Sequence, residues 1–488
     1  MTQKEMQSIL EIGTAISSEK DYNRLLEMIL NRIMELPHAD AGTLYLADGD
    51  LLRFKIMCNN TMHTCEGGDG KEPNLPPVRM SRENVCAMCY LENRTVCIEN
   101  VRTSTEYDFS GPVRYDAMTG YHTQSMLVVP MHNRQGERLG VIQLINAMDA
   151  AGNICAFPAD IIPAVESVAS QAAITIQNVL YIENIKELFE SFVRVMSSAV
   201  DERTPYNASH TRHMVEYGRH FIDYLNGKAK EAGQPLLFNT AHKHELLMSV
   251  WLHDIGKLVI PLEVMNKDAR LLPEQKTAIL HRFEKIRLLI QIASLKGEIS
   301  VETMQEREEE LQKAQETILR ANTAGFCPDD LREEVCRIHE KTYMEEDGSE
   351  KPWLEEEEFQ MLMIRRGTLS EEERAVMESH VVITDKLLSE IRFSKELSHV
   401  REWAASHHEL LNGSGYPKHL TADQIPMEVR IITILDIFDA LVADDRPYKP
   451  GMPVEKALNI LDSMANKEGK LDPELTRLFV ESRCWEKV

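Results

Sequence analysis

Apolar positions along the chain follow two different patterns. In the first part, short apolar runs alternate with turns. Residues 22–36 (YNRLLEMILNRIMEL) space their apolar side chains at helical intervals and predict an amphipathic helix. Ala41-Gly42-Thr43-Leu44-Tyr45-Leu46 predicts a strand with small residues at its start. Residues 125–130 (SMLVVP) and 139–146 predict two more strands, and the polar Asn133-Arg134-Gln135-Gly136 between them marks a hairpin turn. A helix, about six short strands and a long closing helix predict an α+β domain of sensor size over residues 1–184. The closing helix should run over 163–200. Val165, Val168, Ala172, Val179, Ile182, Phe189, Val193 and Met196 fall on a three-four spacing that Thr175 and Lys186 interrupt. Such a stripe suits a parallel coiled-coil seam in a homodimer that links sensor to output, and equally a helix packed on its own domain.

The second part is helical. The apolar run Leu246–Leu252 ends in His253-Asp254-Ile255-Gly256-Lys257, and the apolar helix predicted at Arg430–Leu441 carries Asp436 and Asp439. Two carboxylates three apart on an apolar helix are costly unless a metal, or a hydrogen bond to a ligand histidine, satisfies them. Between these stretches, residues 272–366 are rich in Glu, Lys, Gln and Arg, with a helical run at Glu306–Leu319 and an acidic patch at Glu355–Glu358. They read as a helical insertion, either a solvated hairpin or a lid or partner-docking element.

Length and charge narrow the picture. With 488 residues the chain needs two domains, and its 43% hydrophobic content is that of a globular protein. A net charge of −24 argues against DNA and anionic membranes as partners. No run reaches about 18 apolar residues, and the first residues lack a signal-peptide core, so a soluble, cytoplasmic protein is expected. Nine cysteines in that setting predict free thiols or ligands, not a disulfide framework. Cys58, Cys65, Cys86, Cys89 and Cys97 cluster in the first domain; they could hold an iron-sulfur cluster or zinc, act as a redox switch, or be small buried hydrophobes.

The chemistry concentrates in the second part. A neutral imidazole and a carboxylate on an apolar helix suit iron, manganese or zinc, and no thiolates lie close by in sequence. Lys257, three residues after Asp254, falls on the same face if the helix continues, where it would protonate a leaving alkoxide or hold a phosphate oxygen. His407-His408-Glu409-Leu410-Leu411-Asn412-Gly413-Ser414-Gly415-Tyr416-Pro417 adds two adjacent imidazoles and a Gly-Tyr-Pro corner.

These motifs carry two resemblances. The stretches at 39–46, 125–131 and 140–146 resemble a GAF domain, although Asn146-Ala147 stands where cyclic-nucleotide binders of that family often have Asn-Lys. Residues 187–488, apart from the insertion, resemble an HD-GYP domain. The motifs run in that family's order: His210, His253-Asp254 with Lys257, Ile260-Pro261, His380, His407-His408-Glu409 with Gly413–Pro417, Ile425-Pro426, Asp436 with Asp439, and Arg446-Pro447-Tyr448-Lys449. The resemblance implies an all-helical bundle that hydrolyses cyclic di-GMP at a binuclear metal centre, giving pGpG, GMP or both. It assigns His210, His253, Asp254 and Asp436 to one ion, with Asp254 bridging to a second held by His380, His407 and His408. Iron or manganese is expected first; zinc, nickel and magnesium suit the same donors. Lys257 becomes the leaving-group acid or phosphate contact, Arg446 and Lys449 the phosphate clamps, and Tyr416 a wall of the base pocket. Members with three ions carry a glutamate where this chain has Tyr206, so two ions are implied. His213 and Asn412 stand where the family often has arginine and aspartate. A silent receptor for the nucleotide, or a hydrolase of another cyclic dinucleotide, remains open.

Overall fold

The computed structural model describes residues 19, 21–68, 70–71, 73–133, 135–203, 209–443 and 451–488. Arg446, Lys449 and Tyr206 lie outside these. The chain divides into two compact units, Met1–Phe189 and Glu190–Val488.

In the first unit, α1 (Tyr22–Glu35) leads into β1 (Ala39–Asp48), β2 (Leu51–Asn59), β3 (Thr64–Gly67) and β4 (Val78–Arg79). Then follow α2 (Val85–Glu92), β5 (Val96–Ile98), α3 (Ser110–Thr119), β6 (Met126–His132), β7 (Arg138–Met148), β8 (Ile154–Cys155) and α4 (Ile162–Asp201). The strands form one antiparallel sheet of order β3-β2-β1-β7-β6-β5, with β4 on β2 and β8 on β7. Because side chains alternate across a strand, β1 feeds both faces. Leu44 and Leu46 join Ile56, Leu127, Leu144, α1 and α4 on one face, while Tyr45 joins Val128, Val141, Val96 and α2 on the other.

This alternation corrects the cysteine reading. Register sets Cys58 opposite Cys65, and the two form a disulfide, against the expectation of free thiols or ligands. Cys86 and Cys89 are buried in the core of the opposite face, and Cys97 is exposed. Among the described residues the five do not converge on a common point.

The stripe predicted on α4 divides: its first part takes the reading of a helix packed on its own domain, while Ile182 stays exposed. Val165, Val168 and Ala172 are fully buried in the first unit's own core, and Val193 is buried as well. The apolar side chains left exposed on α4 are Tyr181, Ile182, Ile185, Leu188, Phe192 and Val195. Periodicity identified the helix but not which of its stripes the sheet would consume.

The second unit is mainly helical. It runs α5 (His210–Glu231), α6 (Thr240–Leu252), a 3-10 turn (Ile255–Val259) and α7 (Leu262–Met265). The stretch after it contains α8 (Pro273–Leu295), α9 (Val301–Thr323), α10 (Asp329–His339), a hairpin of β9 (Thr342–Met344) and β10 (Glu350–Pro352), and α11 (Glu356–Leu362). These pack around their own core of Phe283, Ile286, Leu311, Ile318, Leu331, Val335, Trp353 and Leu362. The chain then returns through α12 (Glu371–Ser389), α13 (Val400–Ala404), α14 (Met427–Val442), α15 (Val454–Asn466) and α16 (Pro473–Ser482). α5, α6, α14, α15 and α16 share a second core built on Phe221, Val250, Ile434, Phe438, Leu461 and Phe479. No helix among the described residues is long and apolar enough to cross a membrane.

Candidate metal centre

Four helices and two connecting turns bring the predicted donors together. His210 opens α5, His253 ends α6 with Asp254 just beyond it, His380 lies mid-α12, His407 and His408 follow α13, and Asp436 lies on α14. Asp254 sits between two groups. Its Oδ2 lies 3.2 Å from His253 Nε2 and 3.9 Å from His210 Nε2, while its Oδ1 lies 3.4 Å from His380 Nε2 and 3.8 Å from His407 Nε2. Asp436 lies 3.4 Å from His210 Nε2 through one oxygen and 3.6 Å from His408 Nδ1 through the other. Two sets of close donors result: His210, His253 and Asp254, and His380, His407 and His408.

The imidazoles are aimed by their outer nitrogens. His253, His380 and His407 each place Nδ1 2.7 Å from the carbonyl three residues earlier, of Val250, Met377 and Ala404. A carbonyl only accepts, so Nδ1 carries the proton and Nε2 keeps its lone pair for the interior. His210 Nδ1 bonds instead to Asp439, 2.7 Å away and almost wholly buried, with His213 3.5 Å from the other oxygen. Of the two satisfactions open to Asp439, the geometry gives it the hydrogen bond to a ligand-type histidine.

What this aims at is visible in the unmet bonds. Nε2 of His210, His253, His380 and His407, and Oδ1 of Asp254, are buried without a hydrogen-bond partner. Each such atom costs about 1–3 kcal/mol, and five facing one another make sense only if something fills the space between them. Imidazole lone pairs flanking a two-sided carboxylate are the donor set of a pair of divalent ions, so the residues fit such a centre.

Electrostatics prepares the donors. Burial, joined by His408 and His253, pushes His407 well below its usual pKa; burial, joined by Lys257, pushes His408 down, and burial pushes His380 down to about 4. These three are therefore neutral at pH 7. Burial opposes charge on Asp254 and Asp436, yet His253 and Lys257 beside Asp254, and the His210 ring beside Asp436, outweigh it and hold both carboxyls below the usual range. Lys257 lies on the 3-10 turn and bonds to Asp254; burial disfavours its ammonium, but Asp254 and Asp436 more than compensate and raise its pKa.

The Gly-Tyr-Pro corner flanks the second histidine group. Tyr416 stacks obliquely near His408, with ring centroids 4.8 Å apart. Gly415 is required, since a Cβ there would meet Leu410 N at 2.3 Å and His408 O at 2.5 Å.

Sequence reasoning missed the residues that hold the backbone. Buried Glu409 accepts from the Lys418 and Leu420 amides (2.7 and 2.9 Å) and so shapes the loop after Tyr416. Thr433 donates to the His407 carbonyl at 2.8 Å. Thr384 accepts from the Gly256 amide at 3.0 Å and donates to the His253 carbonyl at 3.1 Å. A Glu next to the histidine pair was visible as a motif member; nothing local distinguishes the two threonines.

The chain carries a GAF domain followed by an HD domain: residues 19–177 match the GAF family and residues 357–475 the HD family. The HD match takes in His380, His407, His408 and Asp436, while His210, His253 and Asp254 lie upstream of it. Its curated relatives include 3'3'-cGAMP-specific phosphodiesterase 3 of Vibrio cholerae, 39% identical over 23% of this chain and 23% of the relative. They also include a cyclic di-GMP phosphodiesterase of Thermotoga maritima, 36% identical over 25% of this chain and 32% of the relative. The chain thus matches less than a third of the length of either relative. Among solved structures, the GAF domain of an Acinetobacter phosphoenolpyruvate-protein phosphotransferase is similar over 38% of this chain and 99% of its own, with 15% identity and a TM-score of 0.29.

Proposed function

We propose that this protein is a metal-dependent phosphodiesterase that opens cyclic di-GMP, under control of its GAF domain. The observation that carries the reading is the set of buried, unpartnered imidazole and carboxylate atoms on both sides of Asp254. His210, His253, Asp254 and Asp436 would hold one divalent ion, and Asp254, His380, His407 and His408 the other. Ions so held supply Lewis acidity toward a phosphate oxygen and an acidified water. Asp439 fixes the His210 ring, and the carbonyls of Val250, Met377 and Ala404 fix the other tautomers. Lys257 keeps its proton at Nζ, where it neutralises a phosphate oxygen or delivers that proton to the departing ribose oxygen. Tyr416 bounds the site beside His408 and offers a ring face to a base. Arg446 and Lys449, outside the described residues, are assigned to the phosphates.

A second substrate has specific support, because relatives named for 3'3'-cGAMP match this chain at 39% identity, beside one named for cyclic di-GMP at 36%. The test is parallel turnover of both dinucleotides by anaerobically prepared Fe(II)- or Mn(II)-loaded protein, with products separated by chromatography. The account expects linear dinucleotide or mononucleotide, and none from the His253→Ala/Asp254→Ala protein. Metal-loaded protein that binds cyclic di-GMP but releases no product would make it a receptor instead. Faster cleavage of 3'3'-cGAMP would reassign the substrate and leave the chemistry in place.

A further inference from the structure

The 3-10 turn that carries Lys257 is short and has little helix of its own to hold it. It is secured from two sides. On one side it presses against α12: a Cβ on Gly256 would lie 1.9 Å from the His380 carbonyl, and the Gly256 amide donates to Thr384. On the other side stands Arg203, two residues beyond the end of α4. Its Nη1 donates to the Lys257 carbonyl at 2.8 Å and also to the Leu258 carbonyl, and its Nη2 donates to the Ile260 carbonyl at 3.0 Å. The Lys257 carbonyl accepts from the Ile260 amide at 3.2 Å within the turn, and a planar guanidinium can bind it together with the next carbonyls of the turn's end. Arg203 is anchored in turn, since its own carbonyl accepts from Asn266 Nδ2 at 3.4 Å. Beside it, buried Asp201, the last residue of α4, accepts from Thr211 in the first turn of α5 at 3.1 Å, one residue from His210.

We infer that Arg203 is a positioning residue for Lys257. It holds the backbone of the turn so that the ammonium stays on Asp254, and it ties that placement to the end of the long helix that leaves the GAF domain. No atom of Arg203 needs to touch substrate. Loss of its three bonds would leave the turn held from the α12 side alone, with Nζ free to wander from the reacting phosphate. The inference deepens the phosphodiesterase reading and rests on it for the role of Lys257, but not for the clamp itself.

The experiment compares full-length wild type with Arg203→Ala and Arg203→Lys, the second keeping a cation that cannot reach three carbonyls. Amide hydrogen exchange is the first arm, read without substrate. The amides of Ile255–Ile260 should exchange at least tenfold faster in both variants, with α6 and α14 protected as in wild type and metal content unchanged. Equal protection of the turn would overturn the inference, whether or not the protein proves to be an enzyme. Turnover of cyclic di-GMP is the second arm. A displacement of about 1 Å at a reacting group can cost a hundredfold in rate, so kcat should fall by about ten- to a hundredfold with KM little changed. In a Lys257→Met background the same substitution should cost less than about threefold, because the group it positions is already gone. An equal loss in both backgrounds would mean that Arg203 does not act through Lys257. Wild type that releases no product would defeat the enzymatic reading, while the exchange arm still decides the clamp.

Discussion

Thr384→Val isolates the stitch between the His-Asp turn and the helix bearing His380. Thr384 is fully buried on α12, one helical turn after His380, and its hydroxyl both accepts from the Gly256 amide and donates to the His253 carbonyl. Valine has nearly the same shape, so packing is retained while both bonds vanish. A buried polar group left without a partner costs about 1–3 kcal/mol. Two such groups, less the gain from burying a methyl in place of a hydroxyl, give about 2–4 kcal/mol. For a unit of this size that lowers the melting temperature by about 4–8 °C. The same change loosens His253 against His380, and loss of such supporting bonds weakens metal binding by about 10–100-fold. The assays are melting of metal-free protein followed by circular dichroism, and competition with a chromophoric chelator. Thr384→Ser, which keeps the hydroxyl, should lose only the methyl contribution of about 0.8 kcal/mol and keep its metal affinity. A valine variant that melts within about one degree of wild type and binds metal as tightly would refute the reasoning.

Other consequences follow from the same geometry. Gly256→Ala forces a Cβ against the His380 carbonyl (1.9 Å) and the Thr384 amide nitrogen (2.7 Å), which are backbone and cannot swing aside. It should destabilise by about 1–3 kcal/mol or more and lower bound metal, measured by denaturant unfolding and elemental analysis. Asp439→Ala leaves His210 Nδ1 without its partner, so affinity for the first ion should fall by about 10–100-fold in chelator competition, with the second ion retained. Metal-free protein should show a bell-shaped stability profile. Burial holds His380 at about 4, below its ordinary 6.5, so unfolding takes up a proton and stability is lost as pH falls from 6.5 towards 4. Burial also opposes charge on His210, but the Asp436 and Asp439 carboxylates beside it raise it to about 10, so its contribution is full below 6.5 and is lost as pH rises towards 10. Denaturant midpoints measured across that range should peak between these limbs; a flat profile would contradict both assignments. Finally, Tyr181, Ile185, Leu188, Phe192 and Val195 are exposed on α4 at four-three spacing, the pattern of a coiled-coil seam. Leu188→Glu with Phe192→Glu should convert a dimer to a monomer in light scattering; a monomeric wild type at micromolar concentration would remove this interface.

The donors of the site were legible because their chemistry conflicts with their surroundings. His253, Asp254 and Asp436 interrupt strongly apolar helices, and such a residue must be satisfied by something. The two-sided role of Asp254 needed the fold, since His210 and His407 reach it from opposite directions across long stretches of chain. Arg203, Thr384 and Thr433 were invisible for a different reason. They act on backbone carbonyls and amides, which carry no sequence signal, at separations of 26 to 131 residues. The cysteine reading failed, and the helix stripe stayed open between its two readings, for one reason. Spacing located the apolar helix after the sheet and the clustered cysteines, but only strand register says which face each side chain joins. Register places Cys58 opposite Cys65 and away from Cys86 and Cys89, and the sheet buries the stripe of Val165, Val168 and Ala172.

The most direct test of the central claim is anomalous diffraction at the manganese edge from crystals of Mn(II)-loaded protein. The account predicts two peaks with Asp254 between them, one reached by His210, His253 and Asp436 and the other by His380, His407 and His408. Asp254→Asn should weaken both. No peak within reach of Asp254, with the ions elsewhere on this acidic chain, would contradict it.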